Sequence, residues 1–433
     1  MGRQIDFQWQ IEDENVQREE FWREATATER PAARSSGELR LMARLGQLLT
    51  LLLVMLLATA GAPFSWRLQE NRQLAAEINQ VLEVEMRALR TDDRDLGSRL
   101  MEDRIALVEH RGWLDLWRIR QSQRRQISLE VVEVERLGDL ALVTLRIVPP
   151  RTYWVSLPYQ ELRFYRHTDG SWLQTVPPES FWGAPKRLEM GSLIFEYTER
   201  DAEAVEGAAA QLEATYARLR QAVGLPTRPA QPLTFTVEPR VVGTWSSRGT
   251  QIGVTSPTLY QIPEWVTPTG QLIDTVTDHL INKVLSELLH IDELYYSPEW
   301  YILLGGVRSW MRTHILEAPP YWQEEALQEL RNRSQILFPL RLTDLDREGR
   351  IEPEERQLRF TVAEMAVAYI MDQQGMAHLP VFLRALRTHT SWEELLDDLY
   401  GQTVEQFTYG WNVYMVDEYR LLDEGQPAAA IQW

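Results

Sequence analysis

The chain has 433 residues, of which 44% are hydrophobic, with 16 Trp and 15 Tyr, enough for two or three domains with cores of their own. Its formal charge of −18 excludes a nucleic-acid partner, because phosphate binding needs a basic surface that releases counterions. With no cysteine, disulfides, Cys-ligated zinc and thiol catalysis are excluded together; chemistry must use Ser, Thr, Asp, Glu, Lys, Tyr or one of seven histidines.

Residues 1–44 are polar and mixed in charge, too poor in apolar side chains to fold alone, and predict a disordered cytoplasmic tail, or a docking peptide for a cytoplasmic partner. Residues 45–66, LGQLLTLLLVMLLATAGAPFSW, are 22 residues without a charge, long enough as a helix to span a hydrocarbon core of about 30 Å. Trp66 stands at the far edge, where an amphipathic ring favours the headgroup layer. A cleaved signal peptide is the alternative, since ATAGA offers small residues to a peptidase, but an acidic 44-residue leader favours a retained single-pass anchor in contact with membrane lipid. Arg34, Arg40 and Arg44 before the span, against Arg67 and Arg72 after it, put the N-terminus on the cytoplasmic side. The expected location is the cell membrane, with the later domains extracytoplasmic.

From Arg67 onward Leu74, Ile78, Val81, Leu82 and Leu89 recur at helical spacing, and a second amphipathic segment runs through Leu100, Ile105 and Leu107 to Trp113 and Trp117. The period then changes to two in ISLEVVEVERLGDLALVTLRIV, with a hairpin turn at Gly138-Asp139, and again in YQELRFYRHTDGSWLQTVPP, turning at Asp169-Gly170. Helices, then an antiparallel meander carrying Phe164, Tyr165, Arg166, Asp169, Gly170 and Trp172, then Phe181, Trp182 and Gly183, resemble the cone-shaped domain of the nuclear-transport-factor-like and cystatin-like superfamily. The resemblance implies a curved sheet over residues 67–187, whose mouth binds a small molecule, catalyses or mediates assembly.

Residues 188–420 open with the strand SLIFEYTER and a helix from Asp201 with Val205, Ala208, Leu212, Tyr216 and Leu219 on one stripe and Gly224 at its end. The strand PLTFTVEP and the hairpin TWSSRGTQIGVTSP follow, and then a helix over 272–294. At about 100° per residue, His279, Lys283, Glu287 and His290 fall on one face of that helix beside Leu280 and Val284. Lys283 precedes Glu287 by one turn and is expected to pair with it. His279 and His290 are about 16 Å apart along the axis and cannot share a metal.

Ser286-Glu287-Leu288-Leu289-His290, then Pro298-Glu299-Trp300-Tyr301 and Gly305 or Gly306, resemble the gluzincin-like metallopeptidases called peptidase MA-like, whose pattern is H-E-L-x-H followed by P-x-W-L-x-E-G-x-A. The closing element Gly401, Thr403, Glu405 and Phe407 is similar to the same family's. The resemblance implies a zincin-like α+β domain in which Ser286 replaces one histidine ligand and Leu303 or Leu304 the glutamate ligand. Glu287 and His290 are then vestigial. A hydroxyl is a weak zinc ligand, so no zinc is expected and the domain reads as a pseudo-peptidase, with zinc from non-standard ligands as the alternative.

Asp344, Asp346, Glu348, Glu352 and Glu355 occupy positions 1, 3, 5, 9 and 12 of a calcium-loop pattern with Gly349 at 6 and Ile351 at 8, although Pro353 interrupts the exit; an acidic surface loop is the alternative. The whole predicts an α+β protein with one transmembrane helix, a cone domain, a zincin-like domain and a tail at 421–433. It is expected to act as a binding or scaffold protein with a protein partner and no cofactor. The alternatives are a membrane-anchored hydrolase, with unusual zinc ligands or with Glu287 as general base, and a small-molecule sensor using the cone's cavity.

Overall fold

A helix over 69–91 (α1) buries Leu74, Ile78, Leu82, Met86 and Leu89 on one stripe, as its 3.6-residue periodicity requires. It is the first element of the computed structural model, which describes residues 69–421 except 151–156, 244–246, 292–299, 338–339 and 346–352. The 1–44 tail, the expected 45–66 span and the last twelve residues of the 421–433 tail lie outside the described residues. Among the described residues no helix is long and apolar enough to cross a membrane.

The fold is mixed α+β, and the described residues from Asn71 to Leu421 form one compact unit with two cores. After α2 (Arg94–Arg99) and α3 (Arg104–Arg111) comes the meander of β1 (Ser128–Leu137), β2 (Leu140–Val148), β3 (Tyr159–Thr168) and β4 (Ser171–Thr175), each antiparallel to the next. Its tight turns are where expected: Gly138 has φ 69°, and Asp169 and Gly170 both have positive φ, the conformation that two-residue hairpin loops demand. Alternation sends Ala141, Val143, Leu145 and Ile147 of β2, with Tyr159 and Tyr165 of β3, onto α1 to form the first core.

The second sheet begins earlier than the expected 187/188 boundary. β5 (Pro185–Met190) pairs with β6 (Leu193–Thr198) across a turn at Gly191, so the boundary drawn from sequence falls inside a strand. The helix α4 (Ala202–Ala222) crosses over to β7 (Leu233–Glu238), which lies parallel to β6; β9 (Gln251–Thr255) extends the sheet in parallel and β8 (Ser247–Arg248) closes its edge in antiparallel. The chain then returns to the first sheet, where β10 (Tyr260–Gln261) pairs with β3 and Leu259, Tyr260 and Ile262 enter the first core. The two cores are thus stitched together, not joined by a linker.

The rest is helical: α5 (Pro268–Leu289), α6 (Tyr301–Trp310) running into a π turn (Met311–Ile315), α7 (Gln323–Leu337), α8 (Pro353–Gln374), α9 (Leu379–Ala385), α10 (Trp392–Tyr400) and α11 (Val404–Tyr419). Gly305 and Gly306 let α6 lie directly on α8, since a Cβ on Gly306 would stand 2.5 Å from the Ala363 and Glu364 backbone. The closing element has local duties: Gly401 ends α10 with φ 60°, Thr403 caps α11 in a capping box with Gln406, and Phe407 is buried.

Candidate functional site at the end of helix α5

Thr267 caps α5, its hydroxyl accepting from the Gly270 N–H, and Pro268 takes the first helical position, where its missing N–H costs nothing. Leu272, Val276, Leu280, Val284 and Leu288 then bury one face in the second core. The helix ends at Leu289, five residues before its predicted end. His290 adopts the left-handed conformation with φ 53°, and the N–H groups of His290 and Ile291 both return to the Ser286 carbonyl. Ser286 is therefore engaged through its backbone at a helix terminus. His290 has left the helical register in which the resemblance would place a ligand, and it is exposed.

Glu287 does not form the predicted pair with Lys283. Both its oxygens are taken by Arg220 of α4, whose Nη1 and Nη2 donate at 2.5 and 2.9 Å. Arg220 is 1% exposed and further fixed by Nε donation to the Pro226 carbonyl at 2.6 Å and by Nη1 donation to Tyr216 Oη at 3.2 Å. The reason is geometric: a planar guanidinium meets both carboxylate oxygens at once, which an ammonium one turn away does not. Lys283 Nζ donates instead to the Gly249 carbonyl of the β8–β9 turn at 2.7 Å. His279 is buried against Phe235, with ring centroids 6.5 Å apart, and burial pushes its imidazole down to about 4, so it stands neutral in the core.

Leu303 and Leu304, where the resemblance would place a glutamate ligand, are core residues at 1% and 3% exposure. A zinc ion does not fit this arrangement: one position is a serine, whose neutral hydroxyl is a weak zinc ligand, the carboxylate is held by Arg220, the histidine stands in a left-handed cap and the last position is a buried leucine. Among the described residues no group of three or more His, Cys, Asp or Glu could hold a metal. Of the calcium-loop residues, Asp346, Glu348 and Glu352 lie outside the described residues. The Asp344 backbone sits in a short turn, Leu342–Leu345. Glu355 is in the first turn of α8, where its Oε1 accepts from Arg359 Nε and Nη2 at 3.0 and 2.6 Å. Pro353 does not interrupt the exit but opens that helix, a position proline favours.

The first sheet packs one face on α1. Its inward face carries Glu161 and Arg163 on β3, and these join Glu85 of α1 and Arg111 of α3 in a buried chain: Arg163 reaches Glu85 at 3.0 Å and Glu161 at 3.1 Å, and Arg111 reaches Glu161 at 2.9 Å. Burial alone would raise the Glu161 carboxyl, but Arg111 and Arg163 outweigh it and hold it below the usual carboxylate range. A cavity of about 10 Å³ adjoins this cluster. Open volume lies on the opposite face of the sheet, a cavity of about 1190 Å³ bounded by Leu142, Thr144 and Leu162, by Trp182, and by the first turns of α4 and α5. Glu133, Glu135, Glu199 and Glu203 face it against Arg200.

Sequence reasoning passed over Arg220, although a signal was present. It continues the i+4 row of Ala208, Leu212 and Tyr216, and a cation on a buried row must find a carboxylate. No family model, no curated protein and no solved structure matches this chain.

Proposed function

We propose that the protein acts by binding, on a peptidase-like frame that works without zinc, and that it does so as a membrane-anchored extracytoplasmic scaffold engaging a protein partner. The observation that carries this reading is the Arg220 clamp on Glu287. A zinc peptidase needs that carboxylate free to take a proton from water, and here both oxygens are occupied by a buried guanidinium. The order of strand, long helix, further strands and helix pair supports the peptidase-like frame. The cleft on the outer face of the first sheet supports binding, and its four carboxylates against one arginine favour a cationic surface on the partner.

Zinc titration of the full-length protein tests it. Equimolar zinc is expected to leave the melting temperature unchanged, because only a ligand that binds the native state stabilises it. Glu287→Gln is expected to destabilise by about 1–3 kcal/mol, the cost of weakening a charged hydrogen-bond pair whose carboxylate is partly exposed. A zinc-dependent rise in melting temperature that Glu287→Gln or His290→Ala abolishes would overturn the reading.

A further inference from the structure

A second cavity, of about 220 Å³, opens on the other side of the helix pair, away from Glu287 and His290. Asp278 of α5 and Arg308 of α6 form part of its wall, followed by Arg312 from the π turn, Tyr321 and Trp322 from the connection to α7, and Arg356 from α8. Three arginines around so small a space need an account of their partners.

Arg312 is fully engaged. Its Nε donates to the Ala318 carbonyl, its Nη1 to Asp278 Oδ1 at 3.0 Å and its Nη2 to Asp274. Ser309, also in the wall, donates its hydroxyl to the buried Glu364 at 2.5 Å. Arg308 makes an interaction of its own. At the level of single atoms, Arg356 Nε is buried without a hydrogen-bond acceptor, and Arg308 Nε in the same wall is as well, although Arg308 is engaged elsewhere. A buried guanidinium N–H without an acceptor is a costly arrangement that an incoming oxyanion relieves.

We propose that this cavity binds a small monocarboxylate carrying an apolar or aromatic body, either a free acid or the C-terminal residue of a peptide. Arg356 supplies the fork that a planar carboxylate fits. Tyr321, Trp322 and Phe360 supply apolar contact for the body. A phosphate dianion is disfavoured, because Asp278 stands in the same wall and, with Asp274, already neutralises Arg312. The volume lies below the roughly 300–1,000 Å³ of drug-sized sites, which restricts the ligand to one ring or one amino-acid residue.

Calorimetry on the full-length protein tests this with benzoate, N-acetyl-phenylalanine, N-acetyl-phenylalanine amide and inorganic phosphate. At least one of the two acids is expected to bind saturably, and the amide and phosphate at least tenfold more weakly. Tighter binding of benzoate than of N-acetyl-phenylalanine assigns a free acid, and the reverse order a peptide C-terminus. Arg356→Gln is expected to weaken the acid at least tenfold, whereas Arg359→Gln, one turn on and paired with Glu355, leaves it unchanged. Absence of saturable binding by either acid, equal binding of the amide, tighter binding of phosphate, or undiminished binding by a folded Arg356→Gln protein would overturn the proposal. Should Arg356→Gln fail to fold, Trp322→Leu takes its place, with the same tenfold loss expected and undiminished binding again overturning the site. The test uses neither zinc nor Glu287, so its failure leaves the pseudo-peptidase reading standing, and the reverse.

Discussion

Arg163→Met is expected to destabilise the protein by about 3–5 kcal/mol, the range found when one partner of a buried ion pair is removed and the other charge is left behind. Arg163 is 2% exposed, and it alone connects Glu85 to Glu161. Without it Glu85 loses its only described hydrogen bonds to a cation, while Glu161 keeps Arg111. The loss has a defined pH dependence. Glu161 is held below its ordinary range in the folded state, so the stability it contributes is present above the unfolded carboxylate value near 4.3 and is lost as pH falls through the depressed folded value. The gap between wild type and Arg163→Met should therefore be full at pH 7 and narrow below about pH 4, which urea unfolding at the two pH values would measure. An equal gap at pH 7 and pH 3 would show that Arg163 acts through packing alone.

This cluster also marks where the sequence stops being readable. The α1 stripe, the meander, its turns and the strand-helix-strand order of the second sheet follow from periodicity and turn chemistry, which are local properties of the chain. Glu161 and Arg163 sit at inward positions of a strand whose neighbours Tyr159 and Tyr165 belong to the first core. The break in pattern announces buried charge, but the partners lie 50 and 78 residues away and no local rule names them. The same holds for Arg220 and Glu287, 67 residues apart, and for β10, a two-residue strand whose sheet is chosen by long-range pairing. Glu287 is a carboxylate for which a nearby cation can be sought in the sequence, and the structure pairs it with Arg220, not Lys283. The sequence points to the nearest one, Lys283, because spacing along a helix is visible in sequence and a contact between two helices is not. The end of α5 was missed for a related reason: His290 in the left-handed cap is unusual enough that apolar periodicity carried the helix through it to residue 294.

The sharpest separation between a scar and a dormant site comes from rebuilding the motif. Ser286→His with Leu303→Glu restores the residue types of the family pattern, and the expected result is a protein destabilised on the order of 4 kcal/mol that zinc does not rescue. Most of that cost falls on Leu303→Glu, which places a carboxylate at a position 1% exposed among apolar side chains with no cation provided for it. Zinc could repay it only by drawing three ligands together. His290 would have to leave its left-handed cap and extend α5 by another turn, keeping its own bond to the Ser286 carbonyl but breaking that of the Ile291 N–H, and Glu287 would have to remain clear of the metal in the grip of Arg220. Each change is small alone, but all must occur in one step for the ion to gain a full coordination sphere. Thermal unfolding of the double variant with and without zinc decides the matter. A zinc-dependent recovery of several degrees would mean that His290 returns to helical register readily and that a zinc-binding geometry is within reach of this frame. No recovery would mean that the helix terminus and the Arg220 clamp keep zinc out even when His and Glu stand at positions 286 and 303.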